Sequence, residues 1–366
     1  MRQALSLFPL LAALVLSAGP LPAATHHVPD SLATIAAALA VSSAGDTVLV
    51  EPGTYPETIT MVDGVDLLAA IPGDRPVIDG GGTGPVVTVV ACGSSTLIRG
   101  FTIRNGSTVA SGGGASIVAS SVAIEDCLFE GNSAVHGGGL SGEGSAFTLS
   151  GCEFRDNVAS ETGGAISVTS VPSPSISGCQ LAGNEALVGG AIAVRNGCEP
   201  SIDTSVLVAN LADQGAAVWW DFLTGGTMAG CTLVAHDALT ADGGALWFNS
   251  ICAPFVSANI VVFGTGGGAV FAVAGNSATL GCNDVFGNAG GDALGGVVDL
   301  GTNFSADPLF CDAPGGDYTL APASPCLPGG PCGLVGALGA GNCGTISAGA
   351  QIETLSWSRI KALYRR

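Results

Sequence analysis

Positive charge is nearly missing from this chain. Its 366 residues carry 29 Asp and Glu against 10 Lys and Arg, a formal net charge of −19. From Thr25 to Gly344 the cations are Arg75, Arg99, Arg104, Arg155 and Arg195, with no lysine among them. Such a surface repels phosphate backbones and anionic headgroups, which excludes nucleic acid and acidic membranes as partners. An unmodified pectin-like polyanion would be repelled too, unless Ca²⁺ bridged the two. Past the N-terminus no apolar run reaches the ~18 uninterrupted residues of a membrane span. Also missing are a Ser-His-Asp spacing, a phosphate-binding loop and a zinc signature. Catalytic residues and metal ligands are therefore expected to be none, with adventitious Ca²⁺ on surface Asp as the only ion and no cofactor.

The two ends differ from the middle. Arg2, the apolar run from Leu5 to Leu16 and the small residues Ala23–Ala24 read as an export signal over residues 1–24. A secreted or outer-cell-surface location follows. Residues 345–366 end in the basic, amphipathic stretch TLSWSRIKALYRR, which suits a sorting or anchoring signal or a docking helix.

With 57 glycines and only 5% aromatics, the composition alone would suggest disorder. The glycines, however, are periodic. Asn132, Asn157, Asn184, Asn210, His236, Gly264 and Asn288 follow one another at 24 to 28 residues, 26 on average. Gly137-Gly138, Gly163-Gly164, Gly189-Gly190, Gly215-Ala216, Gly243-Gly244 and Gly267-Gly268 keep the same phase. So do Cys127, Cys152, Cys179, Ser205 and Cys231, with Cys282 further on. Short strands broken at this spacing cannot form hairpins, but they can coil, each pairing in parallel with its equivalent ~4.8 Å along an axis. The fold class is all-β: a single right-handed parallel β-helix of roughly ten coils, with like residues stacked into ladders. Asn suits a left-handed backbone and amide-to-amide stacking, and Gly-Gly suits a sharp corner.

An open first coil needs a lid. Asp30-Ser31 offers an N-cap, Leu32, Ile35, Ala36 and Leu39 follow at helical spacing, and Gly45 stops the run, so residues 25–47 are expected to cap the β-helix at 48–308. The ladder cysteines share parity with the following Phe or Leu and should be free, buried fillers. Cys311, Cys326, Cys332 and Cys343 lie in a Pro/Gly-rich closing segment, 309–344, with little core of its own. Two disulfides are expected there, 311–326 and 332–343 being preferred among three pairings.

One constellation suggests binding. Strands after the Gly-Gly corners align as Ile166-Ser167-Val168, Ile192-Ala193-Val194, Val218-Trp219-Trp220, Leu246-Trp247-Phe248 and Val270-Phe271-Ala272. The flanking columns are apolar and must face the core, so Trp219, Trp247 and Phe271 point outward. Arg195, Asp221 and Asn249 continue the next outward column. An aromatic strip beside polar side chains can hold sugar rings or a partner chain. Alternatively, the C-terminal segment folds back over it.

The Gly-Gly-Ala-Ile runs at Gly163–Ile166 and Gly189–Ile192, with Phe-x-x-Asn at Phe129–Asn132 and Phe154–Asn157, resemble the repeats of polymorphic outer membrane proteins. More broadly the chain is similar to exported bacterial parallel β-helix repeat proteins, in GDTVLVEPGTYPETI at its start and FSADPLFCDAPGGDYTLAPASPC at its close. The resemblance implies the fold, and a family that includes lyases, esterases and adhesins. GTYPE and Asp221-Phe222-Leu223-Thr224-Gly225 are also similar to segments of pectin methylesterases. There Ile202 stands where that family has Gln before Asp203-Thr204, and no Arg or Lys follows Arg195 until Arg359. The leading expectation is thus a non-catalytic exported protein binding a polysaccharide or surface protein along one face. The alternative is a polysaccharide lyase or pectinesterase-like enzyme working in the same groove.

Overall fold

The computed structural model describes residues 22–343 apart from 241, 242 and 331, so residues 1–21 of the expected export signal, 1–24, and the basic tail, 345–366, lie outside the described residues. Each coil lays one short strand into each of three parallel sheets. Sheet A has 12 strands, from Thr25–Val28 to Val298–Asp299. Sheet B has 10, from Thr54–Tyr55 to Asp284–Phe286, and sheet C has 9, from Ile59–Thr60 to Val270–Ala272. One coil runs Ala123–Glu125 in sheet A, Leu128–Glu130 in sheet B and Leu140–Glu143 in sheet C. This is the expected all-β parallel β-helix.

Alternation explains the strands. In sheets A and B the middle residue of three faces inward, so Ile124, Leu149, Ile176 and Ile202 stack in one column, and Phe129, Phe154, Leu181 and Leu207 in another. The Phe129 and Phe154 rings lie parallel at 4.7 Å. Sheet C turns the first and third residues of each strand into the main core, and its register is the one read from the Gly-Gly corners: Ile166, Ile192, Val218, Leu246 and Val270 share a column. Like-on-like stacking removes the apolar surface that a lone coil would expose.

The corners hold two polar ladders. Between sheets B and C the side-chain amide of Asn132 donates to Asn157 Oδ1 at 3.0 Å, Asn157 to Asn184 at 3.0 Å and Asn184 to Asn210 at 2.9 Å. Each Nδ2 also reaches a strand carbonyl, so these amides are buried and satisfied. His236 does stand in for Asn, its Nδ1 3.3 Å from Asn210 N. The left-handed residue, however, is the one before each Asn: Gly131, Asp156, Gly183, Ala209. The asparagines are kept for their amides, which must point along the axis. The first Gly of five of the six pairs, Gly137, Gly163, Gly189, Gly215 and Gly267 but not Gly243, is also left-handed, and a Cβ on Gly137 or Gly163 would stand 2.2 Å from a backbone oxygen.

Between sheets A and B the corner is two residues long. Its inward position runs Cys127, Cys152, Cys179, Ser205, Cys231 and then Asn259 and Asn283. Asn259 donates to Asn283 at 2.9 Å, and Asn283 to Asn303 at 2.9 Å, a second amide ladder that replaces the thiols. Cys282 therefore does not belong to the cysteine column. It occupies the preceding, left-handed, outward position (φ 59°).

The N-terminal lid is a strand and a helix. Thr25–Val28 opens sheet A, pairing with Thr47–Val50, and the helix spans Ile35–Val41. Its N-cap is Thr34, whose side chain takes the Ala37 N–H, and not Asp30-Ser31. The start is set by Glu57, whose carboxylate accepts from Ile35 N and Ala36 N at 2.9 Å each. Buried Ile35, Ala38 and Leu39 close the first coil.

The C-terminal segment closes a side rather than an end. Phe310, Tyr318, Leu320, Cys326 and Val335 pack on outward residues of sheet B: Ala182, Val208, Val234, Ile260 and Val262. The disulfides are Cys282–Cys332 and Cys311–Cys343, so neither preferred pairing forms. Cys326 is free and buried, its thiol donating to Asp284 Oδ2 at 3.1 Å. Outward-facing Cys282 meets the returning segment and takes Cys332, leaving Cys326 to the new core. Cys127, Cys152, Cys179 and Cys231 are free and buried, as are Cys92, Cys198 and Cys252.

Candidate functional site

The outer face of sheet C collects the chemistry. Its outward column runs Ser141, Ser167, Ala193, Trp219, Trp247 and Phe271. Parity holds: Trp220 and Phe248 are in the main core, while Trp219, Trp247 and Phe271 form a separate cluster outside it with Ala193, Val188 and Val273. The Trp247 and Phe271 rings stack at 4.1 Å. The strip is nonetheless not an open platform. Trp219 is 8% exposed and Trp247 7%, with Phe271 half-buried. The cluster over it contains no residue of the closing segment, which lies on sheet B.

Part of the cover is the strip's own stacking, Trp247 on Phe271, and part is Val188 from a connection between sheets B and C. Each such connection runs back alongside sheet C before its Gly-Gly corner, and these stretches pair in parallel: Ser133–His136 with Val158–Thr162, and then Thr162 with Val188 and Val188 with Gln214. This second column changes character with the one beside it. Polar His136 and Thr162 accompany Ser141 and Ser167, and apolar Val188 packs with Ala193 and Trp219. Trp219 Nε1 is buried there without a hydrogen-bond partner.

The polar end is a connected cluster. Thr162 Oγ1 lies 3.0 Å from His136 Nδ1 and 3.2 Å from Ser167 Oγ, and accepts from Arg195 Nη1 at 3.2 Å. His136 Nε2 is 3.7 Å from Glu161 Oε2. Burial and the Arg195 charge lower the His136 pKa, with Glu161 opposing them, so the imidazole is neutral near pH 7. In the flanking column Asn249 Nδ2 donates to Asp221 Oδ1 at 3.2 Å. Sheet C thus brings all six residues expected from the sequence, Trp219, Trp247, Phe271, Arg195, Asp221 and Asn249, onto one face. Sequence reasoning did not single out His136, Glu161 or Thr162. Their signal was available: His136, Thr162, Val188 and Gln214 each precede the first Gly of a corner, in phase with the repeat.

Arg195 differs from its fellows. Arg75, Arg99 and Arg104 hold Glu153, Glu125 and Asp79 at 2.9, 2.6 and 2.9 Å, and Arg155 also grips Glu153. Arg195 has no carboxylate within ion-pair distance among the described residues. The loop Asn288–Gly296, which faintly resembles a Ca²⁺ repeat, spends its carboxylate internally: Asp292 accepts from Gly287 N and Asn288 N at 2.9 Å each.

Residues 87–247 match the family described as the right-handed β-helix region. No curated protein sequence matches the chain. Among solved structures, a pectin methylesterase variant in complex with a hexasaccharide aligns at 14% identity and a TM-score of 0.33, over 65% of this chain and 81% of that one. The pectin methylesterase of Erwinia chrysanthemi aligns at 10% identity and a TM-score of 0.36, over 77% and 94%.

Proposed function

We propose that this is an exported β-helix protein that binds an extended glycan along the outer face of sheet C. Arg195, Asp221 and Asn249 recur there at strand spacing, ~4.8 Å, close to the scale at which a sugar chain offers successive hydroxyls. The half-buried Phe271 ring supplies an apolar flank, and the covered Trp219 and Trp247 stiffen the floor. The observation that carries the reading is the guanidinium of Arg195, which in so acidic a chain has no carboxylate partner among the described residues and is held only by the Thr162 hydroxyl. A polypeptide is the other ligand such a face admits, and a lyase or pectinesterase-like activity is the competing reading.

The test is a screen of the purified protein against immobilised glycans and a matched set of extended peptides. Binding of glycan, reduced at least tenfold by Arg195→Ala and by Asn249→Ala but not by Arg99→Ala on sheet A, is the expected result. Release of unsaturated or de-esterified uronate, lost on Arg195→Ala, would replace binding with catalysis.

A further inference from the structure

Resting on that reading, we infer that the glycan is anionic, and that a carboxylate or sulfate group on it docks against Arg195 beside the Thr162 hydroxyl. The first argument is the distribution of charge. With 29 acidic residues against 10 basic ones, any arginine of this chain can find a carboxylate, and each of the other four described arginines does. Arg195 does not, although acids stand near it. Asp221, next to it in the outward column, turns to Asn249 at 3.2 Å, and Glu161 turns to His136 at 3.7 Å.

The second argument is geometric. A guanidinium has five N–H donors, and one of those of Arg195 is used, on Thr162 Oγ1. That hydroxyl is itself held by His136 and Ser167, so it fixes the orientation of the guanidinium without neutralising it. A planar fork held in place with its remaining donors free matches a carboxylate or sulfate edge, which accepts two parallel hydrogen bonds. A neutral hydroxyl cannot use that fork as well. The third argument excludes a trivial cause. The net charge of −19 repels polyanions at long range, so tighter binding of an anionic polymer has to come from a local contact.

The experiment compares three polymers of one backbone, plain dextran, carboxymethyl-dextran and dextran sulfate, at fixed ionic strength by calorimetry or biosensor. Expected is at least tenfold tighter binding of one charged form than of plain dextran. The charged form that binds names the group. Arg195→Gln should abolish the difference, and Arg99→Gln, whose arginine is already paired, should leave it intact. Equal binding of charged and neutral forms, or a preference that survives Arg195→Gln, overturns the anionic assignment and leaves glycan binding standing. Failure of all three polymers and of the glycan screen removes both.

Discussion

Sheets B and C both turn apolar on their outward sides as the chain proceeds, and they are covered by different means. On sheet B, charged Glu130 and Arg155 give way to Ala182, Val208, Val234 and Val262, and a separate segment with its own aromatics and two disulfides seals them. On sheet C, Ser141 and Ser167 give way to Trp219, Trp247 and Phe271, and only the thin column around Val188 lies over them, leaving Arg195, Asp221 and Asn249 half-exposed. Large aromatics on the outside of a solenoid therefore do not by themselves mark a binding surface. The polar column left uncovered beside them is the better sign. Sheet B is shut and sheet C is open at its flank.

The sharpest way to break that contrast is to compare two neighbouring tryptophans. Trp220 fills the main core, and Trp220→Ala should cost ~3–5 kcal/mol as an uncollapsed cavity. Trp219 is packed in the outer layer only, so Trp219→Ala should cost ~1–3 kcal/mol; a buried indole N–H without a partner is common to both tryptophans and cancels in the comparison. Equal losses in urea denaturation would mean the outer layer of sheet C is packed as tightly as the core.

Next in size is the seal on sheet B. Cys282→Ser opens a cross-link between residues 50 apart and should cost ~2–4 kcal/mol, with early proteolysis of the closing segment. Non-reducing peptide mapping should show Cys282 joined to Cys332, Cys311 joined to Cys343, and Cys326 alkylated only after unfolding. A Cys311–Cys326 peptide would restore the pairing preferred from the sequence. Arg195→Gln should leave this seal untouched.

Asp284 is a buried polar contact of that seal, taking the Ala306 N–H at 2.9 Å and the Cys326 thiol. Burial raises its pKa to about 6, although the Ala306 hydrogen bond pulls the other way. The folded state therefore holds this proton more tightly than the unfolded chain. Its stabilisation is complete below the ordinary value of 3.8 and is lost as the pH rises through about 6. The urea midpoint of the native protein should fall, relative to that of Asp284→Asn, across this window. Parallel midpoints would show that Asp284 does not titrate in the seal.

The smallest effect concerns the ladder shared by both sheets. Burial lowers the His236 pKa to about 4 from 6.5, so the folded state refuses a proton that the unfolded chain accepts. Its contribution is complete above 6.5 and is lost as the pH falls toward 4, opposite in sign to Asp284. His236→Asn restores the amide stack and should erase that acid loss while changing stability at pH 7 by under ~1 kcal/mol. A wild-type-like acid loss in the variant would place the sensitivity elsewhere.

Periodicity made the fold legible, because a solenoid writes each structural position once per coil. The Asn column, the inward parity of Trp220 and Phe248, and the sheet C register were all readable in that way. Contacts made once were not. The closing segment could have lain on any face, and nothing periodic marks Glu57 as the group that starts the N-terminal helix or Cys282 as the partner of Cys332. Assigning Cys282 to the inward column was an error of one residue, enough to reverse its face. The polar end of the candidate site lay between these extremes: His136 and Thr162 are periodic, but their column belongs to a connection, where alternation does not announce a direction.

Arginine reactivity tests the open flank of sheet C most directly. The protein is treated with phenylglyoxal, with and without saturating carboxymethyl-dextran or dextran sulfate, and modification is mapped by mass spectrometry. Among Arg75, Arg99, Arg104, Arg155 and Arg195, the unpaired Arg195 should react fastest, and the bound polymer should protect it alone. Slow modification of Arg195, or protection that falls equally on Arg99 and Arg104, would contradict a binding face on sheet C.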